Sequence, residues 1–284
     1  MITGGGKDAA IGKRLFAAAL LCLLLAACGP KRPAEITFDG AQAQDPTAMR
    51  AHGERLTHVL GCTSCHGARL EGAQFLPEMK QYGPIYASNL SLLMPHYSDA
   101  DLDAIVRRGT HPVRKTLWVM PSHLFQHLSD GDMRALTAFL RSLPPTGRPT
   151  PPPQFSAEDR KEIAAGKFKP EAQLVRETAG QRAADLGRDL ALGRYVAELT
   201  CAECHGPTLA GEPGHPPGTP PDLVAAGAYG RDEFERLITQ GIPTGGRKLN
   251  PMMAGVAKFR FSHLTRHERH ALYAYLKARA ERAQ

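Results

Sequence analysis

The sequence predicts an all-α protein in which one helical module occurs twice. Its 284 residues exceed what a single hydrophobic core usually needs, so two domains of ordinary size are expected. With 42% hydrophobic and 22% charged residues, the chain belongs to neither the disordered nor the fibrous classes. The motif Cys-x-x-Cys-His then occurs twice, each time between segments of helical periodicity, which indicates a tandem duplication.

Residues 1–27 have the pattern of a secretory signal peptide. Basic residues precede an apolar run that is too short to span a membrane comfortably, and small residues follow it. The tetrapeptide Leu-Ala-Ala-Cys at 25–28 resembles the lipobox of bacterial lipoproteins, whose cysteine is acylated after cleavage. We therefore expect Cys28 to anchor the protein to a membrane surface, while Cys22 is removed with the peptide. The alternative is an ordinary signal peptide with a chance cysteine near the cut.

Residues 28–45 lack an apolar period and are predicted to form a lipid-anchored tether. The folded part is expected to begin after it, with one domain over 46–143 and a second over 185–284. Residues 144–184 connect them. Because their first part is rich in proline, it is expected to be an extended, semi-rigid connector. The following charged and alanine-rich residues are predicted to be helical, either leading into the second domain or lying across the interface.

The modules correspond segment by segment. Each has a helix-compatible stretch ahead of its motif, around Gly53 and around Gly193. Each ends in an amphipathic helix, preceded by Ser129 or Thr265 at the N-cap position with an acidic residue three positions later. Each module is therefore predicted to run from helix to motif to irregular loop to final helix.

The motif predicts haem attachment at Cys62, Cys65 and His66, and again at Cys201, Cys204 and His205. Two thiols three positions apart on one helical turn can add to the two vinyl groups of a haem, and the next histidine becomes an axial iron ligand. A Cys-x-x-Cys pair also has the spacing that zinc uses. Two copies with the same histidine on an exported chain favour haem, and they leave no cysteine for a structural disulfide.

Both modules resemble class I cytochrome c domains. The pair is similar to the tandem dihaem cytochromes c that serve as electron-transfer subunits beside periplasmic dehydrogenases. The resemblance covers about residues 45–145 and 185–280. It implies two covalently bound haem c groups, each held by an N-terminal and a C-terminal helix, with a methionine sixth ligand on the loop before the last helix.

The resemblance implies Met120 as the sixth ligand in the first module, because Met120-Pro121 matches the family's Met-Pro pair. Met94 lies too early in the module. The second module departs from this pattern, since Met252 and Met253 are both eligible. We prefer Met253, which a small residue and an apolar helix-like run follow, and keep Met252 as the alternative.

Two further features of these sites are expected. His123 and His263 lie close to the methionine segments and are the candidates for bis-histidine ligation. The family likeness also implies that a backbone carbonyl, from Pro84 in the first module and Pro221 in the second, accepts a hydrogen bond from the proximal histidine. Such a bond fixes the orientation and donor strength of the imidazole.

Histidine and methionine together close both axial positions, so such an iron carries one electron at a time. The predicted function is electron transfer from a periplasmic dehydrogenase to a cytochrome, oxidase or respiratory complex, on the periplasmic side of a bacterial membrane. The alternative is a haem enzyme, a dihaem peroxidase or thiosulfate-oxidising subunit with one displaceable methionine; a tethered redox sensor is a third possibility. The net charge of +7 favours acidic protein partners, and nucleic acid is not needed to explain it.

Overall fold

A computed structural model describes Met1 and residues 35–114, 116–212, 214 and 219–283. The predicted signal peptide, Cys22 and Cys28 lie outside the described residues. Residues 36–284 cluster as one compact unit that contains both motifs. Among the described residues, no helix is both long enough and apolar enough to cross a bilayer.

The first module is helical except for one small hairpin. Its helices are α1 (Pro46–Val59), α2 (Cys62–His66), α3 (Leu90–Leu93), α4 (Asp99–Arg108), α5 (Ser122–Phe125) and α6 (Asp130–Leu140), with a 3₁₀ turn at Met94–His96. Strands β1 (Ala73–Phe75) and β2 (Ile85–Ala87) lie between α2 and α3 and pair antiparallel, with Ala73 opposite Ala87. The all-α prediction is confirmed, since the hairpin adds three residues per strand.

The rest of the chain is helical as well. The connecting segment contains α7 (Ala157–Ala164) and α8 (Glu171–Thr178). The second module follows with α9 (Ala191–Thr200), α10 (Ala202–His205), α11 (Arg231–Gln240), α12 (Pro251–Phe259) and α13 (Arg266–Arg282). Its 3₁₀ turns lie at Arg188–Leu190, Leu223–Ala228 and Phe261–His263.

In each module the first and last helices cross at a glycine. A Cβ atom on Gly53 would lie 2.0 Å from the carbonyl oxygen of Ala135 in α6. A Cβ atom on Gly193 would lie 2.1 Å from the carbonyl oxygen of Ala271 in α13. Both distances are far inside van der Waals contact, so the two crossings require glycine. The matching crossings confirm that the modules repeat one fold.

The final helices begin where the sequence predicts. The Ser129 side chain accepts a hydrogen bond from the Asp132 backbone N–H, and Thr265 accepts one from that of Glu268. In the second helix, Glu268 also accepts from the backbone of Thr265 and completes a capping box. Both predicted N-caps are therefore confirmed.

The two modules contact each other through two equivalent contacts, each made by residues at matching positions of the repeat. Tyr195, two residues after Gly193, donates a hydrogen bond of 2.8 Å to Asp132 at the start of α6. Arg55, two residues after Gly53, lies 2.8 Å from Glu268 at the start of α13. The first helix of each module thus reaches the last helix of the other, as in an approximately two-fold interface.

Both acidic groups of this interface are fully buried, with 0% exposure of Asp132 and Glu268. A buried carboxylate is costly unless it is well partnered, and each of these has several donors. His52 contacts Asp132 at 2.8 Å, and Arg55 reaches Glu268 through two nitrogens at 2.8 and 2.9 Å. Because Tyr195 and Arg55 come from the opposite module, the need to partner both carboxylates fixes how the two modules are paired.

The prediction that the tether extends to residue 45 is wrong. Phe38 is 1% exposed, and its ring lies 5.2 Å from that of Tyr195. Its backbone N–H donates to Asp132 at 3.0 Å, and that of Asp39 donates to Glu268 at 2.8 Å. The segment from residue 36 is therefore packed between the modules. Its anchor is a single aromatic residue, which produces no apolar period in the sequence.

The connecting segment, residues 144–184, lies along the first module over most of its length. The side chain of Asn89 donates to the carbonyl of Thr146 at 2.8 Å, and α8 packs against α5. Its end reaches the second module, where Tyr275 donates to the carbonyl of Ala184 at 2.9 Å. The proline-rich part has neither helix nor strand, as expected, but it is bound to the first module rather than free.

Candidate haem-binding sites

An apolar pocket in the first module brings the predicted site residues together. Cys62, Cys65 and His66 on α2 line it together with Met120 from the loop before α5. Its remaining walls are mainly apolar side chains from the end of α1, the hairpin and α4 to α6, among them Leu60, Phe75, Ile85, Leu102, Val106 and Phe125. A large flat apolar group with one polar edge fits such a lining.

His66 is oriented by a backbone carbonyl, but not by the one that was expected. Its Nδ1 lies 2.7 Å from the carbonyl oxygen of Ser88. Since a carbonyl only accepts, Nδ1 carries the proton and Nε2 is the nitrogen left to bind iron. The assignment to Pro84 is wrong, because β2 carries Ser88 past His66 while the Pro84 carbonyl accepts from Gln154 at 3.1 Å.

The proximal histidine of the second module is held as expected. Nδ1 of His205 donates to the carbonyl oxygen of Pro221 at 2.7 Å, which confirms the predicted partner. Burial lowers the pKa of both His66 and His205, because a charged imidazole is poorly solvated there. Both rings are therefore kept neutral, which is the form that binds a metal.

None of the four motif cysteines forms a disulfide. Before haem attachment, burial raises the pKa of the Cys62 thiol to about 12 and that of the Cys201 thiol to about 11, which favours the neutral S–H form of both. Within the described part of the chain, no cluster of three or more His, Cys, Asp or Glu side chains could hold a metal ion. The zinc alternative therefore gains no support from the described residues, whereas the apolar pocket suits a haem.

Two methionines line the first pocket. Met120 is half-buried, and Met94, in the 3₁₀ turn after α3, is 4% exposed. The Met120 loop is tight: the Met120 N–H donates to the carbonyl of Trp118 at 2.8 Å, and Val119 has a φ of +68°. A β-branched residue rarely adopts this left-handed conformation, so its surroundings must hold it there.

In the second module the candidate methionines lie in the first turn of α12. Met252 is 64% exposed. Met253 is half-buried and packs against the hydrophobic core. The difference in burial supports Met253 as the sixth ligand, with Met252 as the less favourable choice.

The two alternative histidines have other partners. Nδ1 of His123 lies 2.8 Å from the carboxylate of Glu171 in α8. The ring of His263 stacks on that of His58 with 4.2 Å between centroids. Neither His123 nor His263 lines the pocket that His66 and Met120 share. The structure therefore gives no support to bis-histidine ligation in the first module.

An ion pair that the sequence analysis missed lies between the two motifs, with Arg260 buried and Glu203 exposed. Arg260 Nη1 is 2.5 Å from Glu203, the residue between the cysteines of the second motif. Arg260 Nε also donates to the carbonyl of Val59 at 3.3 Å. Both charged residues belong to the second module, yet both line the pocket of the first. There is room because residue 61 is glycine: a Cβ there would lie 2.8 Å from Arg260 Cζ.

The connecting segment covers the Met120 loop. The ring of Trp118 lies 4.8 Å from that of Phe168 and 5.4 Å from that of Phe155, centroid to centroid. The backbone of Glu171 donates to the carbonyl of Leu117 at 3.0 Å. These contacts restrain the strained turn at Met120 from outside the module.

Comparison with known proteins establishes the family. The model of the cytochrome c family matches residues 50–144 and 190–280, which together exceed half of the chain. The chain belongs to the cytochrome c family. The cytochrome is 27% identical over 294 residues to a "Diheme cytochrome c-type" protein of Cereibacter sphaeroides, covering 93% of this chain and 97% of the relative. Its fold is therefore that of two tandem cytochrome c domains, and it carries two covalently bound haem c groups.

Two further relatives are subunits of larger assemblies by name. The cytochrome is 28% identical to the cytochrome c subunit of a quinone alcohol dehydrogenase of Gluconobacter oxydans, over 61% of this chain and 38% of the relative. It is 32% identical to the cytochrome c subunit of a gluconate 2-dehydrogenase of Pantoea cypripedii, over 58% of this chain and 39% of the relative. The cytochrome thus spans well under half the length of either.

Proposed function

We propose that the cytochrome is an electron-transfer protein that passes single electrons from a periplasmic dehydrogenase to a downstream cytochrome, oxidase or respiratory complex. The observation that carries the proposal is the first pocket, whose lining includes both an oriented histidine, His66, and a methionine, Met120. When bound there, haem c supplies reversible one-electron chemistry at its iron.

The roles of the individual residues follow from their positions. Cys62 and Cys65 are proposed to attach the first haem, with His66 and Met120 as its axial ligands. The second site is proposed to use Cys201 and Cys204 for attachment, and His205 and Met253 as ligands. Ser88 and Pro221 hold the two histidines by their Nδ1 atoms. If these protein groups fill both axial positions, each site would exclude oxygen and peroxide from the metal.

The contact between the modules supports transfer within the chain. Arg260 and Glu203 bring the second motif against the pocket of the first, and the Asp132 and Glu268 contacts hold the modules in one arrangement. The buried Asp132 and Glu268 contacts in particular would keep two redox sites at a constant separation. We therefore propose that electrons pass directly from one site to the other.

The proposed electron donor and cellular location rest on similarity to the relatives and on the N-terminal sequence. Two relatives are named as cytochrome c subunits of dehydrogenases, which favours a dehydrogenase as the electron donor. The lipobox resemblance favours a lipid anchor at Cys28, on the periplasmic side of a bacterial membrane. A single acylated cysteine would keep the cytochrome beside a membrane-bound donor or acceptor.

Methionine variants test this function in the oxidised holoprotein. Met120→Ala and Met253→Ala are each expected to remove one of the two methionine-to-iron charge-transfer bands and to lower one reduction potential, because a thioether favours iron(II). The neighbouring variant Met252→Ala is the matched control and should leave both bands in place. Loss of the second band in Met252→Ala would move the ligand to that residue.

The spin state of iron in the unmodified, oxidised protein distinguishes an electron carrier from a haem enzyme. Two low-spin ferric sites support the proposed function. A high-spin, five-coordinate site in the oxidised protein would contradict it and would favour a haem enzyme with a displaceable methionine.

A further inference from the structure

Three large apolar side chains are exposed beside Met253. Ile242 is 51% exposed, Met252 64% and Phe259 71%. Met252 and Phe259 are seven residues apart and therefore share one face of α12. Ile242 lies next to the same helix, since a Cβ on its neighbour Gly241 would be 3.2 Å from the Cα of Ala254. We call these three residues the α12 patch.

The rim of the α12 patch is basic. Residues 241–267 contain no aspartate or glutamate, and Arg247, Lys248 and Lys258 in this stretch are exposed. Acidic side chains from outside the stretch contact it: Glu203 contacts Arg260, Asp39 contacts Thr265 and His267, and Glu233 contacts Thr244. The Glu233 carboxylate accepts hydrogen bonds from the Thr244 hydroxyl and from a backbone N–H in its own helix's capping box, so it is already engaged.

The corresponding region of the first module is covered. There the ring of Trp118, two residues before Met120, packs against Phe155 and Phe168 of the connecting segment. Among the described residues, no comparable segment covers α12, where Met252 and Phe259 remain exposed. The two methionine segments thus differ in their exposure to a partner protein, although the modules share one fold.

We infer that the α12 patch is the docking surface for an acidic redox protein, so that electrons are exchanged with that partner at the second site. The inference rests on the proposed electron-transfer function. An apolar centre surrounded by charge is the usual construction of a protein interface, because the centre excludes water while the rim selects the partner. The basic rim steers a negatively charged face toward the patch and raises the rate of encounter.

A binding titration tests the inference with the mature dihaem protein. The ¹⁵N-labelled holoprotein is titrated at low ionic strength with an acidic [2Fe–2S] ferredoxin as the probe. Amide shifts are expected in residues 242–259. Lys258→Glu is expected to weaken binding about tenfold, and Phe259→Ser several-fold. Lys80→Glu, an equivalent charge reversal at an exposed lysine of the first module, is the matched control and should change the dissociation constant by less than about twofold.

Each other outcome overturns the inference. Shifts centred on Trp118 and Phe168 would place docking on the first module, and absence of binding would remove it altogether. Equal weakening by Lys80→Glu and Lys258→Glu would show that net charge, not the α12 patch, determines binding. A redox titration of the same variants distinguishes the docking inference from the proposed electron-transfer function. If docking fails but both one-electron steps remain, only the docking role of the α12 patch is refuted. If those steps are lost, the proposed function is refuted.

Discussion

Replacing Cys62 and Cys65 together with alanine is expected to leave a protein with one covalent haem instead of two. The thiols of both residues line one apolar pocket with His66, and no other described cysteine lines it. The change removes both attachment points while the second motif stays complete. Intact mass spectrometry of the purified protein and a haem stain on a denaturing gel measure the number of attached groups.

The second motif provides the matched experiment. Cys201→Ala with Cys204→Ala is expected to remove the other haem, and the protein with all four substitutions should carry none. The first module should also lose stability without its haem, because the apolar side chains of the pocket would then face an unfilled cavity. Two covalent haems in either double variant would show that attachment does not use the motif thiols.

Replacing Gly53 or Gly193 with alanine is expected to destabilise the protein by about 3 kcal/mol or more. The added methyl group would lie 2.0 Å from the carbonyl oxygen of Ala135 or 2.1 Å from that of Ala271. Neither neighbour is a flexible side chain that could move aside, so the helices must separate. Denaturant unfolding of the holoprotein, followed by circular dichroism, measures the change.

Gly255→Ala is the control for these substitutions. Gly255 lies within α12, and a Cβ there would have no atom within 4 Å. The same change is therefore expected to stabilise the protein by about 0.5–1 kcal/mol, because alanine loses less entropy in a helix. If Gly53→Ala behaved like Gly255→Ala, the close crossing of α1 and α6 would not be a requirement of the fold.

The features that could be predicted from the sequence are local or repeated. The spacing of Cys62, Cys65 and His66 lies within one helical turn, so it predicts a site without knowledge of the fold. The N-caps at Ser129 and Thr265 depend on residues three positions away. Because each feature occurs twice, the two copies support each other.

The features that were missed depend on contacts distant in sequence. Phe38 is fixed by Asp132 and Tyr195, which are far along the chain. The choice of Ser88 over Pro84 depends on the path of β2 past α2. Local periodicity contains neither kind of information, and family likeness supplied the wrong carbonyl in the first module.

The Arg260–Glu203 ion pair beside the first pocket could not be predicted, for a related reason. Glu203 carries a weak signal, as a charged residue between two attachment cysteines. Arg260 carries none, because its place beside the first pocket depends on the pairing of the modules and on the missing side chain of Gly61. A site shared between repeats is visible only when both are folded together.

An anaerobic potentiometric titration of the dihaem protein, followed by visible absorption, tests the central claim most directly. Two reversible one-electron steps are expected, one for each site, with both ferric forms low-spin because the proposed histidine and methionine ligands would close each iron. A single step, or a ferric site that is high-spin and binds added cyanide or peroxide at once, would contradict the account of the protein as a two-site electron carrier.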